Sequence, residues 1–175
     1  FEALCFQASN EDLPDAARIE LYRQAVALYQ GDLLPKLNHQ MWLIPLSVHY
    51  HTLYLEAVKA LAALLDRAEL FDEMQLVCQR ASSLDNLDEG LHTLIVRSLL
   101  RQGKDAAALD HYEKATDLLY RNLGVRPSEE LRALYTEIMA TEKTLETDLG
   151  AIMADLKETA ARPGAFVCEY GFFRE

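Results

Sequence analysis

The side chains best suited to metal binding or proton transfer are five histidines, and their spacing fits no metal site. His49 and His51 are two positions apart, which directs their side chains to different faces of a helix. His39, His92 and His111 have no Cys, Asp or Glu at a useful ligand spacing, and no His-Glu-x-x-His run occurs. We therefore predict no metal site, and we expect His92 to be a packing or hydrogen-bonding residue.

The three cysteines, Cys5, Cys78 and Cys168, are far apart and odd in number. This argues against a disulfide framework and fits a reducing cytoplasm. Cys78 is expected to be a buried, inert thiol. No Gly-rich phosphate loop, nucleophile elbow or kinase motif is present, and the carboxylates fall at helix starts, where helix capping accounts for them. The sequence therefore predicts neither an enzyme nor a cofactor.

The charge and hydropathy of the chain restrict its partners. The formal net charge is -11, which repels phosphate backbones and anionic lipid headgroups. No apolar run approaches the ~20 residues that span a bilayer, and no signal-peptide pattern opens the chain. We expect a cytoplasmic protein that binds neither membranes nor, by these residues alone, nucleic acid.

The elements that position these side chains are predicted to be helices, because apolar residues recur at helical spacing and Gly and Pro number only 7 and 5. One helix is expected to start near Asp12 with Pro14 in its first turn, and another to hold Pro45 in its first turn. Asp85 and Ser128 are the predicted N-caps of two later helices. The predicted helix ends are Gly31, Gly103 and Gly124.

Two stretches of the sequence repeat at an offset of 34 to 35 residues, which is the tetratricopeptide period. The matched positions are Leu64, Leu65, Ala68, Cys78 and Ala81 in the first stretch, then Leu99, Leu100, Gly103, Tyr112 and Ala115 in the second. Such helix pairs bury their apolar faces by stacking. We predict an all-α, tetratricopeptide-like, right-handed helical solenoid with a C-terminal helical extension. Chance repetition of amphipathic helices is the alternative.

Motifs in a fixed order extend over about two-thirds of the chain. The first motif is Ala27-Leu28-Tyr29-Gln30-Gly31, and the last is Leu123-Gly124-Val125 followed by Pro127-Ser128-Glu129-Glu130-Leu131. Their main residues are Gly31, Asp32, Leu33, Leu34, Pro35, Trp42, Asp85, Glu89, His92, Gly103, Tyr112, Gly124, Pro127, Ser128 and Leu131. In this order they resemble the bacterial transcriptional activator domain of SARP-type regulators. The run Leu43-Ile44-Pro45-Leu46 departs from the family, where charged residues are expected.

The resemblance implies a non-catalytic regulatory domain. In the family this helical domain follows an OmpR-like winged helix, holds protomers together and presents surfaces to other protein domains or to RNA polymerase. DNA would then be contacted only through that upstream domain, which is absent from this sequence. The motif residues named above are expected to be structural. The alternative is a peptide-binding tetratricopeptide scaffold unrelated to transcription.

Two sets of residues outside the C-terminal region are candidates for interaction surfaces. Trp42, the only Trp, could anchor an interface, but a core position that pins the loop is favoured. Tyr50, Tyr54, Arg97 and Arg101 are candidates for a concave groove that grips a peptide. Core packing explains the spacing of the aromatic residues equally well and is favoured for them.

The C-terminal region carries a heptad-like stripe at Leu145, Leu149, Ile152 and Leu156. This stripe either pairs with a second copy in a homodimer or folds back on the solenoid. Thr147 and Gly150 favour two shorter helices here. The predicted domains are 1–145 for the activator domain, 146–162 for a helical extension and 163–175 for a strand-like tail that begins a further domain.

Overall fold

The computed structural model describes residues 1–31, 34 and 40–161, and these residues form helices with no strand. The helices are α1 (Glu2–Ala8), α2 (Asp15–Leu28), α3 (Ile44–Arg67), α4 (Phe71–Leu84), α5 (Glu89–Arg101), α6 (Asp105–Leu123) and α7 (Glu129–Ala161). The prediction of an all-α fold is confirmed. The predicted strand-like tail lies outside the described residues. None of the described helices is long and apolar enough to cross a membrane.

Helices α1 to α6 pack as stacked pairs. Each helix contacts the next one along the chain, and the odd-numbered helices also contact each other, α1 against α3 and α3 against α5. This pattern is expected of helix pairs whose first members line one layer and whose second members line another. The helical repeat predicted from the 34-residue period is therefore present.

The turns that join α3 to α4 and α5 to α6 have the same hydrogen bonds. In the first, Leu70 N donates to Leu65 O at 2.9 Å, and Glu69 adopts a left-handed φ of 58°. In the second, Lys104 N donates to Leu99 O at 3.0 Å, and Gly103 has a φ of 68°. Both are Schellman motifs. Glu69 is thus the structural partner of Gly103, and their separation, 103 − 69, gives a repeat of 34 residues.

The core is centred on α3, which contributes the largest set of buried apolar side chains, and on α5, which packs against it. From α3 these are Tyr54, Ala57, Val58, Leu61, Ala62, Leu64 and Leu65, and from α5 they are Leu91, Ile95, Val96 and Leu99. Burial of each large apolar side chain contributes roughly 1.5–3 kcal/mol. Cys78 on α4 is fully buried, and burial raises the pKa of its thiol to about 12. The expectation of a buried, inert thiol at Cys78 is confirmed.

Three helix boundaries differ from the sequence prediction. α2 begins at Asp15 with Pro14 at the N-cap, so neither Asp12 as the cap nor Pro14 in the first turn is correct. It also ends at Leu28, before Gly31. The N-cap of α5 is Asp88, whose Oδ1 accepts a hydrogen bond from Leu91 N, rather than Asp85. The Asp85 Oδ1 instead accepts from Leu87 N at 3.1 Å, which shapes the turn before the helix.

The predicted break in the C-terminal helix is wrong, because α7 runs without interruption from Glu129 to Ala161. Thr147 does not cap a new helix. Its Oγ1 donates to Lys143 O at 2.8 Å, four residues back, which satisfies the hydroxyl inside the helix. Gly150 lowers the helix propensity by roughly 1 kcal/mol, which one residue in a helix of this length tolerates.

The chain divides into two compact units, Phe1–Tyr135 and Thr136–Glu175. The first contains α1 to α6 and the beginning of α7, and the second contains the rest of α7. The division of the chain after residues 145 and 162 stays a prediction.

The matched turns give a test of backbone strain. Left-handed φ costs a residue with a Cβ roughly 1–2 kcal/mol, so Glu69→Gly should raise the free energy of unfolding by about 0.5–1 kcal/mol. Gly103→Ala should lower it by about 1 kcal/mol through strain alone, because a Cβ at Gly103 meets no atom within 4 Å. Urea unfolding of both variants measures this. Equal signs for the two variants would contradict the structural equivalence of the two turns.

Candidate interaction surfaces

A chain of polar contacts holds the start of the 29–35 motif against the solenoid. The Tyr29 hydroxyl lies 3.3 Å from His51 Nδ1, and His51 Nε2 lies 3.1 Å from Asp85 Oδ2. The carboxylate can only accept, so the His51 Nε2–H donates to it. The three residues come from the α2–α3 connection, α3 and the α4–α5 turn. Sequence analysis missed this contact because its members are 22 and 34 residues apart.

The environment of this chain of contacts fixes the positions of its members. Partial burial would raise the pKa of the Asp85 carboxyl, but hydrogen bonds from His51 and from the backbone N–H of Leu87 outweigh it and hold that pKa below its usual value. The Tyr29 ring is buried and stacks on Tyr54 with centroids 4.2 Å apart. The contacts therefore hold Tyr29, just after α2, against α3.

Other motif residues also join neighbouring elements. The Glu89 carboxylate in the first turn of α5 accepts a hydrogen bond from Ser128 N at 2.7 Å, and the Ser128 hydroxyl accepts from Leu131 N at 3.3 Å. Tyr112 on α6 stacks on Tyr135 of α7 with centroids 4.9 Å apart. Gly124 ends α6 in the left-handed region, and Leu131 is fully buried. Pro127 lies just before Ser128, and Asp32, Leu33 and Pro35 lie outside the described residues.

His92 and His111 form a pair that the sequence did not predict. His92 is buried, its Nε2 lies 2.9 Å from Asn86 O, and its Nδ1 lies 3.1 Å from His111 Nε2. The Asn86 carbonyl oxygen only accepts, so the His92 Nε2–H donates to it. Burial, followed by repulsion from His92, lowers the pKa of His111 to about 4. The hydrogen-bonding role expected for His92 is confirmed.

The preference for a core position is wrong for Trp42, which is 60% exposed. The next residue, Leu43, occupies the buried position instead and is 1% exposed, because one turn of the chain directs adjacent side chains to different sides. Met41, Ile44 and Val48 are exposed beside Trp42, and together they form the α3-start patch. Exposed apolar residues in such a group are typical of a surface that contacts another protein.

The predicted groove of Tyr50, Tyr54, Arg97 and Arg101 is not assembled. Tyr54 is fully buried, which confirms core packing for it, whereas Tyr50 is only half-buried. Arg97 lies 2.6 Å from Glu130 on α7 and Arg101 lies 3.6 Å from Asp66 on α3. Both guanidinium groups therefore face carboxylates of this chain, and the two arginines do not form a clamp for the carboxylate of a peptide.

The second half of α7 has an exposed apolar stripe. Leu149, Ile152, Met153 and Leu156 are 53–60% exposed and follow a spacing of three, four and seven residues. We call these four residues the α7 stripe. Leu145 lies one turn earlier in α7, and its side chain is outside the described residues. Within the described part of the chain, no group of three or more His, Cys, Asp or Glu residues is arranged to hold a metal ion.

Comparison with known proteins agrees with this arrangement. The family model described as "Bacterial transcriptional activator domain" matches residues 1–139, which contain the solenoid, the polar triad and the start of α7. The chain belongs to this family. The family that the order of the sequence motifs predicted is thereby confirmed, and the bacterial transcriptional activator domain accounts for all of α1 to α6.

One solved structure gives the domain a relative in three dimensions. Mycobacterium tuberculosis EmbR, solved in complex with a low affinity phosphopeptide, matches with a TM-score of 0.64 over 90% of this chain. The sequences are 19% identical, and the match covers 42% of the EmbR chain, so this chain spans less than half of that relative. At this identity the similarity shows the fold alone. No curated protein sequence matches the chain significantly.

The depressed pKa of His111 predicts a loss of stability in acid. An unfolded histidine titrates near 6.5 and the folded one near 4, so the unfolded state binds more protons between these values. The contribution is complete above pH 6.5 and is lost as the pH falls to about 4. His111→Gln removes the titrating group but keeps a hydrogen-bonding side chain beside His92, so about 2 kcal/mol of this loss should disappear after allowance for solvent screening of the partly exposed imidazole. Urea unfolding at stepped pH measures it, and a variant with the wild-type pH dependence would contradict the prediction.

The exposed position of Trp42 predicts its fluorescence. Because Trp42 is the only Trp, the intrinsic emission reports on the α3-start patch alone. We expect a red-shifted emission maximum and quenching by acrylamide nearly as efficient as for free tryptophan. A blue-shifted, protected emission in the monomeric protein would contradict the exposure of Trp42.

Proposed function

We propose that this chain is the non-catalytic interaction and oligomerisation domain of a cytoplasmic, DNA-binding transcriptional activator. Membership of the bacterial transcriptional activator domain family supports the role in transcription regulation. DNA binding then belongs to a winged helix elsewhere in the activator, because the net charge of -11 opposes contact of this domain with phosphate backbones.

The observation that carries the oligomerisation role is the α7 stripe. Four large apolar side chains stay more than half exposed on one face of a 33-residue helix. The spacing of Leu149, Ile152 and Leu156 corresponds to successive a, d and a positions of a heptad, and Met153 widens the face. A two-fold pair of such helices would cover both stripes at once.

A second copy of this chain is the occupant that fits the stripe. The other faces of this part of α7 carry small or polar residues, such as Gly150, Ala151 and Ala154, so its large apolar side chains are confined to the stripe. The stripe covers little more than one heptad, fewer than the ~3–4 heptads of a stable coiled coil. We therefore expect a weak dimer whose population depends on concentration.

Protein partners are proposed for the α3-start patch. Trp is enriched among residues that contribute most to binding, and Trp42 is exposed beside Met41 and Val48. RNA polymerase and a neighbouring domain of the activator are the candidates. The EmbR structure was solved with a phosphopeptide, which is consistent with protein partners for the longer regulators of this kind.

Oligomeric state tests the proposal. Size-exclusion chromatography with light scattering, from about 1 to 500 μM, should show a rising fraction of dimer. The double variant Leu149→Glu and Ile152→Glu should stay monomeric, because paired helices would bury four carboxylates.

The matched control adds the same two charges to another face of the same helix. Ala151→Glu with Ala154→Glu changes exposed residues outside the stripe and should leave the dimer intact. A wild-type chain that is monomeric at every concentration, or a control variant as disrupted as the stripe variant, would refute dimerisation through α7.

A further inference from the structure

A cleft lies between α1 and α3, within the first compact unit. Its volume is about 470 Å³, and its lining includes Cys5 and Phe6 from α1, Tyr22 from α2, and Leu53 and Ala57 from α3. This volume falls within the range of roughly 300–1,000 Å³ that is usual for binding sites. Most of the lining is apolar, and Phe6 at its edge is 80% exposed.

The cleft is the space between two parallel stripes of side chains. On α1 the stripe consists of residues 2, 5, 6 and 9, and on α3 it consists of residues 49, 53, 56, 57 and 60. Both sets follow helical spacing. Their first residues are in contact, because Glu2 Oε1 lies 2.9 Å from His49 Nε2. From His49 to Ala60 the cleft extends for about 16 Å at 1.5 Å per residue. An elongated site of this length fits about three turns of a helix better than a compact small molecule.

The described lining of the cleft contains two carboxylates and no lysine or arginine, and Arg18 hydrogen-bonds the Tyr22 side chain on its α2 side. Glu2 and Glu56 both contribute to its edge and both are exposed. In the part of the chain that the structure describes, no cation forms an ion pair with Glu56. Arg18 donates to Ala8 O at the C-terminal end of α1, and Lys59 is directed to Asp88 at 2.7 Å. An apolar floor with carboxylates at its edge complements a ligand that has apolar and cationic groups side by side.

We propose that the α1–α3 cleft binds a cationic amphipathic helix of another protein, whose apolar side chains enter the cleft beside Phe6 and whose Lys or Arg residues face Glu2 and Glu56. This site is separate from the α7 stripe and from the four residues that sequence analysis placed in a groove. Its occupant differs from a second copy of this chain, because the net charge of -11 disfavours a partner of the same sign at an acidic site.

A designed peptide probes the site without knowledge of the natural partner. The probe is a fluorescein-labelled helix of about 14 residues composed of Leu on one face and Lys on the other, which spans about 20 Å. Its counterpart replaces every Lys with Glu. Fluorescence anisotropy with the 175-residue chain should give a Kd of about 100 μM or tighter for the Lys peptide and no saturable binding of the Glu peptide.

Two variants with matched controls locate the binding. Ala60→Phe fills the end of the cleft and should weaken binding about tenfold, whereas Ala63→Phe, on an exposed face of the same helix, should change it by less than about twofold. Glu56→Lys should weaken binding about fivefold, and Glu113→Lys on α6 makes the same charge change away from the cleft. Circular dichroism melts establish that each variant is folded, and Glu56→Lys tests the site even if Ala60→Phe is unstable.

The outcomes separate this site from general attraction to an acidic protein. Equal weakening of peptide binding by Glu56→Lys and Glu113→Lys would overturn the proposal. Unchanged binding in folded Ala60→Phe would also overturn it. So would the absence of Lys-peptide binding at a chain concentration of 1 mM, about tenfold above the expected Kd. The test is also independent of dimerisation. Leu149→Glu with Ile152→Glu should keep the peptide affinity, and Glu56→Lys should keep the oligomeric state.

Discussion

The packing of α3 against α2, α4 and α5 is the interaction on which the rest of the solenoid depends. Its buried residues extend from Leu64 on one side through Leu61 to Ala62 on the other, a face too wide for one neighbouring helix to cover. Apolar burial is the dominant favourable term in folding, and neither repeat contains enough of it alone. The repeats are therefore stable only as a stack, and loss of one helix would expose the apolar faces of its neighbours.

Apolar packing is non-directional, so the relative placement of the helices also requires directional contacts. These lie at the turns. The Tyr29–His51–Asp85 triad, the Asp88 carboxylate that caps α5 and binds Lys59, and the bidentate pair of Arg23 with Glu73 each join separate elements. The Arg23 guanidinium lowers the pKa of the Glu73 carboxyl, as expected for an ion pair with good geometry. Several of these residues belong to the family motifs, so motifs that are scattered along the chain meet in structural contacts.

The surfaces proposed for partners use different residues of the chain. The α1–α3 cleft is lined in part by core residues such as Cys5 and Ala57, the α3-start patch lies where α3 begins, and the α7 stripe occurs in the other compact unit. Substitutions can therefore change one surface and leave the residues of the others intact. The proposed function assigns dimerisation to the α7 stripe and further protein contacts to the other two surfaces. The negative charge of the chain favours cationic or apolar partners over nucleic acid at each of them.

The sequence alone determined the all-α class, the 34-residue repeat, the family, the hydrogen-bonding role of His92 and the burial of Cys78. The fold class and the repeat follow from local periodicity, turn chemistry and composition, and the family follows from the resemblance of its ordered motifs. Only the tertiary structure decided that Leu43 rather than Trp42 is buried, that His92 meets His111, that Thr147 continues α7 and that Phe6 and Leu53 line one cleft. Each of these depends on which helices become neighbours or on whether a helix continues, and the single-residue pattern does not specify either. Adjacent side chains point in directions about 100° apart around a helical turn. Of the two apolar neighbours Trp42 and Leu43, only one can therefore face the core, and hydrophobicity alone does not say which.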